Sequence, residues 1–234
     1  MMRLDKLLVE LNIGTRSEVK ALLKKGLIFV DGEKATKPET KVDENTAQIS
    51  YQGKEYTYKK FSYYVINKPK GVITATEDAH ERTIMDVFYS QCPDAPKGLA
   101  PVGRLDKDTT GLLLITNDGQ LAHDMLSPKK HVDKTYYVEL DGELTSEDVA
   151  ALEAGVRIGE GDLTAPATVK YDGGKSCYIT IHEGKFHQVK RMFFAVGKTV
   201  LELKRTAFGP LVLDEEKLPE GHISELKCES FSCK

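Results

Sequence analysis

The chain has 234 residues, long enough for a full core and more than one domain, and its four cysteines, Cys92, Cys177, Cys228 and Cys233, are too few and scattered for a disulfide framework, which makes a reducing cytoplasm the expected setting. No apolar run reaches the length that spans a bilayer, and the start Met1-Met2-Arg3-Leu4-Asp5 lacks the charged-then-apolar order of a secretory signal, so no membrane association is expected. The net charge of −3 weighs against a polyanion binder, yet residues 1–60 hold twelve Lys and Arg against nine Asp and Glu, leaving twenty-one against twenty-seven elsewhere, so basic charge is concentrated at the N-terminus.

Leu4, Leu7, Leu8 and Leu11 fall at helical spacing, with Gly14 expected as the left-handed cap. Thr15-Arg16-Ser17-Glu18 has the form of a capping box for a second helix, in which Val19, Leu22 and Leu23 make the buried stripe. Arg16, Lys20 and Lys24 line another face at i, i+4, i+8; by itself such a stripe is an ordinary solvated face. Leu27 to Val30, the turn Asp31-Gly32 and Glu33-Lys34-Ala35 read as a hairpin, and Ala47 to Tyr51 as a short strand. Residues 52–60 read as a linker, placing the boundary near residue 60. The order helix, capped basic helix, strand with Asp-Gly resembles the small S4-type RNA-binding domain over about residues 2–50. The resemblance implies RNA binding, with Arg3, Arg16, Lys20 and Lys24 as candidate contacts to phosphates.

Phe61 to Ile66 is a strand rich in β-formers, ended by Asn67-Lys68-Pro69-Lys70-Gly71, whose lysines read as part of a solvated turn. Next comes the stretch around which the chain is organised, Gly103-Arg104-Leu105-Asp106-Lys107-Asp108-Thr109-Thr110-Gly111, running into Leu112 to Ile115 and the turn Asn117-Asp118-Gly119. An Asp in a glycine-flanked loop is commonly a turn or cap residue, but a loop fixed by a buried strand also holds polar groups rigidly while leaving them accessible. A helix follows over Gln120 to Leu126, then Ser127-Pro128 and the basic Lys129-Lys130-His131. Lys134 to Leu140 alternates as a strand, with Tyr136, Val138 and Leu140 facing inward. Thr145 caps a helix that Gly155 ends, before strands near residues 167–171 and 176–182.

Glu183-Gly184-Lys185-Phe186-His187-Gln188-Val189-Lys190-Arg191-Met192 divides as a helix. Val189, Met192, Phe193 and Val196 share one face, and His187, Lys190, Arg191 and Phe194 lie opposite, with Gly197 as the stop. Leu203 to Gly209 closes the series. Two metal patterns fail on spacing: His182 and His187 stand at i, i+5 rather than i, i+4, and Cys228 and Cys233 have no second pair. No metal is expected.

Asn67-Lys68-Pro69-x-Gly71, the Gly-Arg-Leu-Asp loop with its Thr110-Gly111 strand and Asn117-Asp118-Gly119, Lys134-x-Tyr136, and His187-Gln188-x-Lys190 followed by Leu203 stand in the order found in RNA pseudouridine synthases of the RsuA type. The resemblance covers nearly the whole chain. It implies an α+β architecture: an S4-type α/β domain over residues 1–60, and a synthase domain over residues 61–234 with a mostly antiparallel sheet. It implies isomerisation of a uridine in RNA without a cofactor, since the substrate contains every atom of the product. Asp106 takes the role of reactive carboxylate and Tyr136 stacks on the base. Lys190, or Arg191 as the alternative, pairs with Asp106. Arg104 fills the gap left by a flipped uridine, unless it merely pairs with Asp108 or Asp118. Leu203 floors the base pocket, and His187 and Arg191 complete the substrate contacts. Phe208 stands where relatives more often carry an aliphatic residue, a departure that touches packing. The implied partner is ribosomal RNA or an assembling small subunit, met by a monomer; the His-Gln-Val-Lys-Arg and Lys-Lys-His wording favours the small subunit over the large. A noncatalytic RNA-binding assembly factor on the same fold is the rival reading.

Overall fold

The computed structural model describes residues 1–159 and 161–226; Cys228 and Cys233 lie outside them. The chain divides into two compact units, Met1–Ser62 with Asp94–Leu99, and Tyr63–Pro93 with the chain from Ala100 onwards.

In the first unit, β1 (Met2–Arg3) leads into α1 (Leu4–Glu10), then α2 (Arg16–Lys24), β2 (Ile28–Val30), β3 (Glu33–Ala35), β4 (Lys41–Val42), β5 (Ile49–Tyr51) and β6 (Lys54–Tyr56). Leu4, Leu7 and Leu8 of α1 meet Val19 and Leu23 of α2, and Ile28, Val42, Ala47 and Ile49 close this core. The capping box at Thr15 forms: its N–H donates to the Glu18 carboxylate at 2.7 Å and its hydroxyl accepts from the Glu18 N–H at 3.4 Å. Helix α1 ends earlier than the leucine spacing suggests. Asn12, at φ 57°, takes the left-handed position expected of Gly14, and the Ile13 N–H returns to the Leu8 carbonyl at 3.1 Å. The first part of the stretch expected to be a linker, residues 52–56, is instead the far side of a second hairpin. Gln52 and Gly53 both have positive φ, and β6 pairs with β5 as part of the sheet β3-β2-β5-β6.

The second unit contains β7 (Tyr63–Lys68), α3 (Ile84–Gln91), β8 (Ala100–Pro101), β9 (Thr110–Thr116), α4 (Gly119–Leu126), β10 (Lys134–Leu140) and α5 (Ser146–Ala154). It continues with β11 (Thr168–Lys170), β12 (Ser176–Ile181), α6 (Gln188–Ala195), β13 (Val200–Phe208), β14 (Leu211–Val212) and β15 (Ile223–Leu226). Among the described residues these strands form one sheet in the order β11-β12-β10-β13-β9-β7-β15, with β14 on β13 and β8 on β9. Every residue of β7 and β9 is buried, as in strands covered on both faces, and Val65, Leu112, Leu114, Met125 and Phe208 share a core. The pairs are antiparallel except that of β9 with β13, which is parallel over Lys204↔Thr110 and Arg205↔Gly111. The architecture is α+β with a mostly antiparallel sheet. Helix α3, capped by Thr83 and Asp86 in a box of the same kind as Thr15 and Glu18, falls in a stretch to which no element was assigned from sequence. No helix of the described residues is long and apolar enough to cross a membrane.

Lys68 corrects the reading of its segment as a solvated turn. Strand β7 runs through it and its side chain is fully buried, with Nζ donating to the carbonyls of Thr109 at 2.9 Å and Pro69 at 3.1 Å. An ammonium is tolerated there because carbonyl oxygens replace its water. Burial still holds its pKa down to about 8, against the opposing charges of Asp108 and Asp106.

Gly111 permits the parallel junction: its φ is 102°, and a Cβ at this position would sit on the backbone oxygen and nitrogen of Arg205. Gly111→Ala combines backbone strain with a backbone clash and should lower stability by about 2–4 kcal/mol in urea unfolding. Unchanged stability would show that the junction can open without loss.

Candidate active site

A cavity of about 820 Å³ opens in the second unit, lined among others by Arg104, Asp106, Tyr136, His187, Leu203 and Arg205. The loop that brings Asp106 to it is held on several sides. Thr74 Oγ1 accepts from the Leu105 N–H at 3.1 Å and donates to the Leu105 carbonyl at 2.7 Å, the Thr109 N–H closes a turn on the Asp106 carbonyl at 3.1 Å, and the Gly71 N–H reaches the Lys107 carbonyl at 2.8 Å. With Lys68 beneath, the loop has few conformations left to lose when a substrate arrives.

The Asp106 carboxylate is half-buried and faces two groups, Lys190 Nζ at 3.2 Å and His187 Nε2 at 3.5 Å. Lys190 projects from α6, whose start is set by His187 in a left-handed conformation (φ 47°) and by Gln188, which accepts from the Lys185 N–H at 2.9 Å and donates to Glu183 at 2.5 Å. His187 therefore precedes the helix rather than sharing its basic face, and the His182–His187 pattern is not helical; His182 packs edge-on against His131 at 5.0 Å. Arg191 turns elsewhere, donating to the Phe186 carbonyl at 3.1 Å and lying 3.9 Å from Asp162, so Lys190 is the cation brought to Asp106.

The ammonium of Lys190 is shared, and its shorter bond, 2.6 Å, is to Asp108. Partial burial pulls the Lys190 pKa down, but bonds to Asp108 and Asp106 outweigh it and hold it above the usual lysine value. Burial likewise pushes Asp108 up, and the bond and charge of Lys190 reverse this to leave it below the ordinary carboxylate range. Arg104 is exposed at the cavity and pairs with neither aspartate proposed as its alternative partner. Asp108 is taken by Lys190, while Asp118 caps α4, accepting from the Gln120 and Leu121 N–H groups at 3.1 Å, and takes the Tyr63 hydroxyl at 2.9 Å.

Tyr136, Val138 and Leu140 are buried as the alternation of β10 predicts, and Leu203 is buried on β13. Four groups at the site receive no role of their own from the sequence: Lys68, Asp108, Lys134 and Arg205. Lys68 and Lys134 stand within the motifs of the resemblance, and Lys134 and Arg205 also share the inward parity of Tyr136 and Leu203. On the first unit, Arg16, Lys20 and Lys24 are exposed along α2, whereas Arg3 is engaged by Asp5 through two bonds of 2.9 and 3.0 Å. Among the described residues no group of three or more His, Cys, Asp or Glu could hold a metal ion.

The family model for RNA pseudouridylate synthase matches residues 62–195, and that for the S4 domain residues 2–47. The chain belongs to the RNA pseudouridine synthases, isomerases of uridine in RNA, and carries an S4 domain at its N-terminus. It is 45% identical to the uncharacterized RNA pseudouridine synthase YtzG of Bacillus subtilis, over 98% of this chain and 97% of that protein. Ribosomal small subunit pseudouridine synthase A of Vibrio cholerae is 39% identical over 93% of both chains. Ribosomal large subunit pseudouridine synthase B of Bacillus subtilis is 38% identical over 91% of this chain and 88% of that one. A crystal structure of a pseudouridylate synthase, 34% identical, superposes over 98% of this chain and 97% of its own with a TM-score of 0.66.

Lys190→Met should separate the electrostatic role of the pair from its packing. Asp108, held below its unfolded value, contributes stability that is present at neutral pH and lost as pH falls through its folded pKa. Because the pair is partly exposed, the wild type should exceed the variant by less than about 1 kcal/mol at neutral pH. Urea unfolding should show that gap closing as pH falls below the ordinary carboxylate range; a gap that does not change with pH would assign the loss to packing.

Proposed function

We propose that this chain converts one uridine of ribosomal RNA, in the small subunit, to pseudouridine, with the target base turned out of the RNA into the cavity and Asp106 as the reactive carboxylate. The observation that carries the reading is Asp106 on a fixed loop at the cavity, with Lys190 Nζ 3.2 Å away and Tyr136 also lining it. The relatives named for the small and the large subunit are 39% and 38% identical, so identity leaves the subunit open. The wording His187-Gln188-Val189-Lys190-Arg191 and Lys129-Lys130-His131 supports the small one.

In this reading the N1–C1′ bond breaks, the uracil turns, C5 bonds to C1′, the C5 proton is lost and N1 takes up a proton. Asp106 meets the electron-poor sugar as the bond breaks, either by covalent capture or by charge. Lys190 holds that carboxylate in place, and Asp108 fixes Lys190. Tyr136 stacks on the uracil over Leu203, and exposed Arg104 enters the stack that the uridine leaves. The S4 module, residues 1–60, supplies nonspecific affinity through Arg16, Lys20 and Lys24, while His187 and Arg191 meet the RNA beside the cavity. The enzyme acts as a monomer in the cytoplasm.

Release of tritium from C5-labelled uridine in rRNA, offered naked and in assembly intermediates, tests the reaction. The full chain should release it at one mapped uridine of the small subunit, and Asp106→Asn should lower the rate by on the order of 10³-fold or more. Release only from large-subunit RNA would move the target. Tight binding without release from either would favour a noncatalytic assembly factor.

Binding offers a second check. Replacing Arg16, Lys20 and Lys24 together by Gln should reduce the slope of log affinity against log salt by about 2 to 3. An unchanged slope would place the phosphate contacts elsewhere.

A further inference from the structure

Arg205 is only 2% exposed, yet no carboxylate pairs with it among the described residues. Its Nε donates to the Leu112 carbonyl at 2.8 Å, its guanidinium carbon lies 4.6 Å from the Phe208 ring centroid, and its Nη2 is buried with no hydrogen-bond partner. Across the strand pair it stands opposite Tyr136, the neighbour whose hydroxyl favours its charge against burial. Lys134 is a second buried cation, two residues before Tyr136 on the same face; its Nζ donates to the Val132 carbonyl at 3.1 Å and lies 5.6 Å from the centroid of Phe208. Burial and the charge of Arg205 both depress its pKa, with Asp133 opposing. Both cations line the cavity.

Placing uncompensated positive charge in a core is costly, and an apolar side chain would hold these strands at lower cost. The distribution of partners around the cavity is uneven. Lys190 at the Asp106 end has two carboxylates, whereas Arg205 and Lys134 at the Tyr136 wall have only neutral partners, backbone carbonyls, the Phe208 ring and, for Arg205, the Tyr136 hydroxyl. The wall is therefore a region of fixed positive potential in a low-dielectric setting, where a charge acts over several ångströms.

We propose that Arg205, seconded by Lys134, stabilises the uracil ring as it leaves C1′ with the glycosidic electron pair. The inference rests on the reaction proposed above. Heterolysis sends the N1–C1′ pair to N1, and conjugation spreads the negative charge onto O2 and O4. The ring then gives a pair from C5 to form the C5–C1′ bond, after which C5 loses its proton and N1 gains one, with no oxidant or reductant. Arg205 acts through the wall that Tyr136 covers, so it is a positioning residue for charge rather than a group in contact with the base.

The test varies the acidity of the departing ring. Full-length Arg205→Met and Lys134→Met would be compared with wild type under single turnover, on rRNA carrying uridine or 5-fluorouridine at the mapped position. Conversion is followed as loss of the starting nucleoside after nuclease digestion, which reads N1–C1′ cleavage and C5–C1′ joining and does not require the C5 proton that the fluorinated ring lacks. Fluorine stabilises the ring anion and so reduces its need for the wall. Arg205→Met should slow the uridine substrate by about 10²-fold and the fluorinated one by roughly tenfold less, with Lys134→Met shifting the ratio the same way by a smaller factor. Equal slowing of both substrates, or none, in a folded variant overturns the proposal. Should Arg205→Met fail to fold by circular dichroism, Lys134→Met decides on the same criterion. An active Asp106→Asn would strike the parent reading instead, whichever way the fluorine ratio falls.

Discussion

The parallel contact of two residues between β9 and β13 is the constraint on which the site depends. Arg205 lies against Gly111, and the approach is close enough that only a residue without a side chain fits. On one side of that contact the chain runs back through Thr109 to Asp106; on the other, β13 presents Leu203 and Arg205 and pairs with β10, which carries Tyr136. Loop, tyrosine strand and cavity floor are far apart in sequence and meet through this junction. Lys68 secures the opposite flank by bonding the Thr109 carbonyl from inside β7. A carboxylate held from both flanks loses little freedom when a ligand is bound.

Besides Arg104, Lys107 and Lys185 on the cavity lining, four lysine or arginine side chains lie at or beneath the site, and their partners differ in kind. Lys190 has two carboxylates, Lys68 has backbone carbonyls, and Arg205 and Lys134 have carbonyls with the Phe208 ring. The first arrangement is partly exposed and contributes little to stability. The others are buried, and burial lowers the pKa of each. Such positions are poor choices for holding a sheet together, which makes their clustering around one cavity informative about its chemistry.

Sequence was legible where a local rule governs. The Thr15 capping box, the Asp31-Gly32 hairpin and the inward parity of Tyr136 each depend on residues within a few positions, and all form. The pairing of Lys190 with Asp106 followed from a family resemblance, and no local rule could have found its shorter bond to Asp108, 82 positions away. Lys68 was misread because a lysine beside proline and glycine has the composition of a solvated turn, while its burial is decided by carbonyls of a loop some forty residues on. The second hairpin was missed for a different reason. Gln52 rather than Asn or Asp takes the first left-handed position, so the usual turn signal is absent. Arg205 sits two residues after Leu203 and shares its side by strand parity, but no local rule shows that a guanidinium is buried there.

Positive charge in this chain thus comes in two physical forms. The stripe on α2 is exposed, so its attraction for a polyanion is screened once ions crowd within about 10 Å at ordinary salt. The cations beneath the cavity wall are shielded from solvent, and added salt changes their field far less. On the proposed reading the first form gathers RNA and the second acts on one ring within it. The two functions then respond differently to ionic strength: affinity falls with salt, while the rate of bound RNA does not follow it. The acidic balance of residues beyond 60 fits this division, with most of the nonspecific attraction left to the N-terminal module.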